Sequence, residues 1–310
     1  MSSMMPDNTG TDAARFYPRF EANPCWGTVS SRTNVDLVAV SDKGKVRPNN
    51  EDSFLVMRFE RSMHALLTNL PAGQVPGQYS ERGYAMFVAD GIGGRAAGEF
   101  ASRTTIRTLV ELMIQTPDWI MRLNEERALE VLRRMEERFG QLTESLTKQA
   151  QAEPNLRGMG TTLTVAVSLG ADLVIAHVGD SRAYLFRRGR LFRLTNDQTV
   201  AQVLTKAGVI RPEDVAKHPA RNLLTGSIVA GGEKAEVELH HVRLADGDQL
   251  LLCSDGLTEM VADAKISAVL EKQESAADVC RTLVDLALEA GGKDNVTVLL
   301  GRYRIPDESE

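Results

Sequence analysis

The sequence predicts an α+β fold in which one β-sheet packs on another and helices lie outside them. Two observations indicate this fold. Short apolar runs bounded by Gly, Asp or Ser occur in two clusters along the chain, and helical patterns lie between and after those clusters. No repeat at a fixed long period is visible.

The composition is that of an ordinary globular chain with no basic character. The 310 residues are 43% hydrophobic and 25% charged, with a net charge of −6, enough for one large domain or two small ones. The acidic balance argues against nucleic acid as the main partner.

Neither the first thirty residues nor the longest apolar runs of the chain indicate secretion or membrane insertion. No apolar run reaches the roughly 18 residues that a membrane span requires, and the first thirty residues lack a signal-type segment. Cys25, Cys253 and Cys280 are odd in number, far apart and without metal-ligand spacing. We therefore expect reduced thiols, a cytoplasmic location and no membrane partner.

The N-terminal third is predicted to contain a tail, three strands and one long loop. Residues 1–33 are polar and aperiodic, which is typical of a flexible tail. Strands are predicted from residue 34, over Ser53–Phe59, and over the apolar run Ala85–Ala89. Residues 60–82, rich in Pro, Gly and polar residues, are predicted to form a loop-like insertion.

Two helices should follow, over about 97–115 and about 124–149. An apolar stripe marks the second helix, formed by Leu129, Leu132, Met135, Phe139, Leu142 and Leu146. Such a stripe is usually a face packed on a sheet.

The second strand cluster begins after Gly160. Four short strands are predicted within "TTLTVAVSL", "DLVIAHVGD", "RAYLFRRG" and "RLFRLT", with a hairpin at "RRGR". A helix in "DQTVAQVLTKAG" and a shorter one opened by Arg211-Pro212 come next. The chain then returns through the strand "DQLLLC", a helix over about 275–290 and the strand "NVTVLLGRY".

Acidic residues stand at the edges of five of these apolar runs, each beside Gly or Asn. They are Glu51 with Asp52, Asp90, Asp180, Asp255 and Asp294. Any one of them could be a turn or cap residue. Carboxylates from five strand edges that meet at one place repel each other, which costs free energy unless cations neutralise them. Carboxylate ligands favour magnesium, manganese or calcium over zinc. The five histidines match no metal motif.

The backbone after Asp90 is almost free of side chains, because Gly91, Gly93, Gly94 and Gly98 follow it. Glycines allow the backbone to approach a ligand closely. The alternative is a glycine turn in which Asp90 caps the next helix. The spacing is not that of a dinucleotide fingerprint, and no phosphate-loop Lys follows.

The chemistry that fits such a cluster is attack by water on phosphorus. Two divalent ions about 3.5–4 Å apart can hold a shared water and lower its pKa towards about 7. Arg47, just before the acidic pair, could bind phosphate oxygens, or it could be a solvated turn residue.

Taken together, the sequence resembles the PPM family of metal-dependent serine/threonine phosphatases, the type 2C phosphatases, in their bacterial form. The resemblance is carried, in chain order, by "SDKGKVRPNNEDSF", "FVADGIGGRAAGEFAS", "GMGTTLTVAV", "AHVGDSRAYLFRRGRLFRLTNDQTV", "LLLCSDGL" and "GGKDNVTVLL". It implies a four-layer αββα sandwich of two antiparallel β-sheets flanked by helices. The phosphatase domain would span residues 34–304, followed by a short tail, 305–310.

For the metal centre, the resemblance implies that Asp90 bridges two metals and that the Gly91 carbonyl holds one of them. Asp255 and Asp294 would bind the first metal. Both metals would be Mn²⁺ or Mg²⁺.

The same resemblance implies roles around this pair. Glu51 and Asp52 lie at the second metal, one of them as a ligand or through water. Arg47 would bind the substrate phosphate, and Asp180 would help hold a third, weaker divalent ion.

The sequence departs from the family pattern in places. Ile92 stands where many animal members have a histidine proposed as general acid, so the proton donor stays open. Residues 199–232 are predicted to form a flap next to the third metal, with Arg221 and Asn222 as candidate selectivity residues. A rigid helical excursion is the alternative. The flap lacks the arginine often found after Thr225, and the tail and the 60–82 insertion lie outside the resemblance.

The function implied is hydrolysis of phosphoserine and phosphothreonine in proteins by a monomer. Its partners would be phosphoproteins, including a serine/threonine kinase and that kinase's substrates, or an anti-sigma-factor antagonist. A pseudophosphatase that only binds its partner is the first alternative, although such proteins usually lack the metal-binding acids. A metal-dependent nuclease is the second, although the acidic composition argues against it.

Overall fold

The computed structural model describes residues 32–67, 69, 75–93, 96–115, 125–272 and 274–306. The strands, in chain order, are β1 Asn34–Asp42, β2 Asp52–His64, β3 Gln78–Ile92, β4 Gly160–Thr161, β5 Leu163–Leu169, β6 Asp172–Val178, β7 Arg182–Arg187, β8 Arg190–Arg193, β9 Ile228–Val229, β10 Glu238–Arg243, β11 Gln249–Cys253 and β12 Val296–Arg304. The α-helices are α1 Ala96–Ile114, α2 Glu125–Ala152, α3 Val200–Lys206, α4 Asp255–Thr258, α5 Asp263–Leu270 and α6 Ala276–Glu289. Short 3-10 segments cover Pro154–Leu156 and Pro212–Lys217.

The strands form two antiparallel sheets. The first has the order β1-β12-β11-β7-β8. The second has the order β10-β6-β5-β3-β4-β9, with β2 paired to β3. The first sheet therefore joins strands from both ends of the described chain, and the second is built mainly from its middle.

Burial of apolar faces arranges these sheets in four layers. Side chains from both sheets, including Met86, Ile175 and Leu299, share one buried cluster between them. On the outer face of the second sheet, Phe87 and Phe139 belong to a cluster that also contains residues of α1 and α2. A third cluster joins α5 and α6 to the first sheet. The predicted fold class, two antiparallel sheets with helices outside, is confirmed.

The predicted loop over 60–82 is shorter than expected. Residues Glu60–His64 and Gln78–Arg82 extend β2 and β3 into a long hairpin arm, with Glu60 opposite Arg82 and Arg61 opposite Glu81. Opposite charges facing each other across two strands stabilise the pairing. Because most residues of this arm are polar or charged, its apolar alternation is weak, and the sequence pattern resembles a loop.

The other predicted elements agree with the structure to within a few residues. Met135, Phe139, Leu142 and Leu146 of the predicted apolar stripe are buried against the sheet, as expected. The "RRGR" hairpin is a tight turn, in which Arg188 and Gly189 both have positive φ, at 51° and 73°. No helix among the described residues is both long enough and apolar enough to span a membrane.

The predicted tails fall largely outside the described ranges, which leave out residues 1–31 and 307–310. Thr33, the last residue of the predicted N-terminal tail, is buried, and its carbonyl accepts a hydrogen bond of 3.3 Å from Tyr84 Oη. Ile305 N donates to Asp246 Oδ1 over 2.9 Å.

Candidate metal centre and active site

Asp52 and Asp90 face each other across the β2–β3 pair. They are register partners, so the pairing that forms the second sheet also brings their two carboxylates together. Asp90 lies within β3, whereas the sequence placed it at a strand end. The strand continues to Ile92 because Gly91 and Ile92 pair with β4.

The carboxylate of Asp52 is held on one side only. Ser254 Oγ and Thr297 Oγ1 each donate a hydrogen bond of 2.7 Å to Asp52 Oδ2. Its other oxygen, Oδ1, is buried without a hydrogen-bond partner. Burial raises the pKa of Asp52 to about 6, although the two hydroxyl donors oppose that rise.

Asp255 opens α4, with Ser254 as the N-cap residue. Gly256 lets this helix start against the strand that follows Asp294, since a Cβ at 256 would lie 2.0 Å from the Asn295 carbonyl oxygen. Asp255 Oδ1 is also buried without a partner. Burial, and then the negative charge of Asp180, raise the pKa of Asp255 well above its ordinary value.

Asp90 lies at the centre of the acidic cluster. Burial raises its pKa well above the ordinary value, and the charges of four neighbours raise it further. These neighbours are Asp52, Asp255, Asp180 and Asp294. Five carboxylates that are far apart in sequence therefore share one electrostatic environment.

Asn295 is a site residue that the sequence analysis did not single out. Its side-chain oxygen accepts from Glu51 N over 2.8 Å, and its amide nitrogen donates to the Lys43 and Asn49 carbonyls, both over 2.8 Å. The backbone N of Asn295 donates to Asp294 Oδ1 over 2.8 Å. This buried amide therefore fixes the loop before β2 against the turn that carries Asp294.

Arg47 lies at the mouth of the site and contacts Asp294. Its Nη2 donates to Asp294 Oδ2 over 2.5 Å, and its side chain is 50% exposed. The hydrogen bond with Asp294 raises the pKa of Arg47, and the charges of Asp90 and Glu51 contribute further. A fixed guanidinium that reaches both solvent and the acidic cluster is placed to meet an incoming anion.

Glu51 is held next to the glycines that follow Asp90. Gly91 N donates to the Glu51 carbonyl over 3.2 Å, and Ser102 Oγ donates to the same oxygen over 2.7 Å. A Cβ on Gly91 would lie 2.2 Å from the Gly98 carbonyl oxygen, and a Cβ on Gly98 would lie 2.6 Å from Glu51 Oε2. The glycines thus serve close packing of β3, α1 and Glu51. Burial raises the pKa of Glu51.

Asp180 follows β6 on a turn at which Gly179 has φ 117°. Burial raises the pKa of Asp180 to about 7, and the charge of Asp197 adds to the rise. Asp197 itself binds Arg182 through two hydrogen bonds, of 2.9 and 2.8 Å. The turn that carries Asp180, here called the Asp180 corner, is therefore acidic, and Arg182 provides a positive charge nearby.

The predicted flap, residues 199–232, contains α3, the 3-10 segment Pro212–Lys217 and β9. Arg221 Nη2 lies 3.9 Å from Glu259 Oε1, next to the Asp180 corner. Asn222 is exposed. The small residues at the end of the flap are anchored, because Ala230 N donates to the Met159 carbonyl over 2.9 Å and Gly231 N to Thr147 Oγ1 over 2.9 Å.

The carboxylate cluster fits divalent cations by its chemistry. Asp52 and Asp255 each present a buried oxygen without a partner, and burial with mutual repulsion disfavours ionisation of Asp90. Within the described ranges, no three acidic, His or Cys side chains are close enough to form a ready-made ligand set. Repulsion between carboxylates and the pairing of Asp294 with Arg47 both act against such convergence.

Comparison with known proteins identifies the family. A sequence profile described as Protein phosphatase 2C matches residues 77–291. The chain belongs to the protein phosphatase 2C family. The predicted family, a bacterial type 2C serine/threonine phosphatase, is thereby confirmed at the level of family.

Curated relatives of this phosphatase 2C chain are bacterial. It is 36% identical over 262 residues to the serine/threonine protein phosphatase PstP of Mycobacterium tuberculosis, covering 84% of this chain but only 44% of that protein. It is 33% identical over 260 residues to the serine/threonine phosphatase stp of Listeria monocytogenes, covering 84% of this chain and 92% of that protein. The chain thus spans less than half the length of the mycobacterial relative.

Solved structures share the fold. The Mycobacterium tuberculosis PstP/Ppp phosphatase superposes with a TM-score of 0.69 at 35% identity, over 86% of this chain and 98% of that one. The PstP catalytic domain in complex with two manganese ions gives a TM-score of 0.67 at 33% identity, over 88% and 99%. The latter is a similar protein that holds two divalent ions.

Proposed function

We propose that the chain hydrolyses phosphoserine and phosphothreonine in proteins, using divalent cations held by its acidic cluster. The observation that carries the proposal is the gathering of Asp52, Asp90, Asp180, Asp255 and Asp294 around one site, with two buried oxygens left without partners. Membership of the protein phosphatase 2C family and the manganese-bound relative support it.

Within this proposal, Asp90, the Gly91 carbonyl, Asp255 and Asp294 would together hold two Mn²⁺ or Mg²⁺ ions, with Asp90 as the central ligand. When bound, the ions would neutralise the cluster and supply a water acidic enough to attack phosphorus near pH 7. The close packing of Gly91 and Gly98 holds Glu51 beside the strand that carries Asp90.

Asp52 and Glu51 serve the second ion in complementary ways. The hydroxyls of Ser254 and Thr297 hold one oxygen of the Asp52 carboxylate, which fixes the rotamer of this side chain. The other oxygen of Asp52 is then free to bind the second ion. Glu51, held by Asn295 through its backbone, contributes its carboxylate directly or through water.

Arg47 binds the substrate phosphate. Its side chain already reaches Asp294 and is half exposed, so a phosphate can exchange for or share this contact. Ile92 cannot donate a proton, so we propose that water protonates the serine or threonine oxygen as it leaves.

Around this centre, Asp180 contributes to a third, weaker cation site, and the flap with Arg221 and Asn222 contributes to the choice of phosphopeptide. We further propose that the chain acts on phosphoproteins in the cytoplasm, among them a serine/threonine kinase and that kinase's substrates. The phosphatase names of the relatives support this direction.

The deciding experiment measures phosphate release from a phosphothreonine peptide by the purified chain with Mn²⁺, with Mg²⁺ and with a chelator. We expect release that requires the metal. Peptide binding without release would favour the pseudophosphatase alternative, and cleavage of DNA without phosphate release would favour a nuclease. Equal release in chelator would overturn the metal-dependent mechanism.

A further inference from the structure

Gln198, the residue just before the flap, is joined to the turn that carries Asp180. Its backbone N donates to the Gly179 carbonyl over 2.7 Å, and its side-chain Oε1 accepts from Gly179 N over 3.0 Å. Backbone and side chain of one residue therefore satisfy both backbone groups of Gly179, which directly precedes Asp180. Such a reciprocal pair fixes the orientation of the turn.

The same residue is joined to the returning arm of the flap. The Gln198 carbonyl accepts from Thr225 N over 2.8 Å and from Gly226 N over 3.3 Å. Its side-chain Nε2 donates to the Glu236 carbonyl over 3.1 Å, beyond the end of the flap. Gln198 thus bonds to the Asp180 turn, to the returning arm of the flap and to the segment beyond the flap.

Gly226 leaves the room that the Gln198 side chain occupies. A Cβ at position 226 would lie 1.8 Å from Gln198 Oε1 and 2.9 Å from Gln198 Cβ. Any other residue at 226 would have to displace the amide from Gly179. The three atoms nearest to a Cβ at this flap position all belong to the side chain that holds the turn.

The opposite side of the turn is held by buried groups of the sheet. A Cβ on Gly179 would lie 2.5 Å from Thr162 Cβ, so the turn rests directly on that residue. His177 Nε2 lies 3.0 Å from the Gly179 carbonyl and 3.2 Å from the Asn196 carbonyl, both acceptors, which indicates the tautomer protonated at Nε2. The sheet supports the turn from behind, and Gln198 supports it from the flap side.

We propose that Gln198 is a positioning residue that couples the flap to the Asp180 turn through its side-chain amide. Because the side-chain amide bonds to Gly179 and packs against Gly226 of the flap, the affinity of the cation at Asp180 and the seating of the flap both depend on this one side chain. The cation part of this inference rests on the proposed function, in which Asp180 serves a third, weaker ion.

The test replaces the amide while keeping its volume, in Gln198→Met. Calorimetric titration with Mn²⁺ alone should show the weakest class of sites losing about 10- to 100-fold in affinity, with the tighter classes unchanged. Limited trypsin digestion should cut faster after the exposed flap residues Lys206, Lys217 and Arg221. Phosphopeptide kcat/KM should fall more than that for p-nitrophenyl phosphate.

Gly226→Ala disrupts the same contact from the flap side, because the added methyl group would displace the Gln198 amide. Gly77→Ala is the matched control, because nothing lies within 4 Å of a Cβ at Gly77. We expect Gly226→Ala to reproduce the Gln198→Met changes and the double variant to add little, as sites sharing one contact do. Gly77→Ala should behave as the parent chain.

Unchanged Mn²⁺ affinity and unchanged trypsin cleavage in folded Gln198→Met would overturn the inference. So would fully additive effects in the double variant. These two readouts do not need turnover. A parent chain that released no phosphate with Mn²⁺ would contradict the proposed function, and the trypsin comparison would still decide whether Gln198 anchors the flap.

Discussion

Arg47 donates a 2.5 Å hydrogen bond to Asp294, which lies at the opposite end of the described chain. The contact neutralises part of the acidic cluster and keeps a guanidinium at the mouth of the site. It also means that a residue proposed to bind phosphate and one proposed to bind a cation are partners before either ligand arrives. Removing one will therefore change the surroundings of the other.

Arg47→Ala should raise KM for a phosphopeptide more than it lowers kcat. A charge-assisted hydrogen bond contributes about 1.5–3 kcal/mol, which corresponds to roughly a 10- to 150-fold rise in KM. Steady-state kinetics at saturating Mn²⁺ measure it. Arg188→Ala, at the tip of the β7–β8 hairpin, is the control and should leave KM unchanged. An unchanged KM in Arg47→Ala would remove this residue from the substrate site.

Asp90→Asn should abolish turnover while the chain stays folded. A neutral amide binds divalent cations weakly, and we expect kcat to fall by more than about 100-fold, beyond the loss typical of supporting residues. In chelator the variant should melt at a higher temperature than the parent chain, because a buried carboxylate repelled by its neighbours has been neutralised. Turnover near the parent rate would exclude Asp90 from the centre.

Asn295→Ala should weaken both the fold and the site. The side chain makes three hydrogen bonds to backbone groups of the loop before β2, and their loss should cost about 2–4 kcal/mol in the free energy of unfolding. Urea denaturation of the metal-free chain measures this. Asn222→Ala, at an exposed position, should stay within about 0.5 kcal/mol of the parent. Equal stability of the two variants would show that Asn295 does not organise the loop.

The stability of the metal-free chain should fall as pH rises from about 6.5 to 8. The pKa of Asp180 is raised to about 7, whereas in the unfolded chain it is already ionised in this window. Below that pKa the folded state binds more protons than the unfolded state, so stability falls as pH rises and levels off once Asp180 has lost its proton. His177, whose pKa burial lowers to about 4, acts in the opposite direction, but mainly below pH 6.5.

Melting temperatures in chelator at constant ionic strength check this expectation. Asp180→Asn removes one of the titrating groups and should make the pH dependence shallower. Saturating Mn²⁺, which binds the ionised carboxylates, should remove or reverse it. A melting temperature that rose with pH in chelator would contradict the assigned pKa directions.

Local patterns were sufficient to predict much of the fold. Apolar runs and the stripe on α2 predicted the sheets and the packed helix, because burial of an apolar face is decided by residues close in sequence. The acidic residues beside glycines were visible for the same reason. The hairpin arm beyond Glu60 differs from the predicted loop, since its polar and charged residues lack the apolar alternation by which a strand is recognised.

The residues that hold the site carboxylates in place through hydrogen bonds could not be predicted from single segments of sequence. Ser254 and Thr297 reach Asp52 across 202 and 245 residues of sequence, and Asn295 reaches Glu51 across 244. Sheet register decides such contacts, and an isolated Ser, Thr or Asn has no periodic signature. The "CSDG" and "KDNVT" segments could have suggested them, because each places a small polar residue next to a predicted ligand.

The pairing of β1 with β12, from Asn34 opposite Arg304 to Asp42 opposite Val296, has a consequence for biosynthesis. Arg47, Glu51 and Asp52 leave the ribosome early, but Asp294 and Asn295 emerge about 240 residues later, and chains grow at about 5–20 residues per second. For roughly 12 to 48 seconds the nascent chain therefore holds only part of its acidic cluster, without the segment that completes it. Under the proposed function, cation binding therefore has to wait until β12 has been made and pairs with β1.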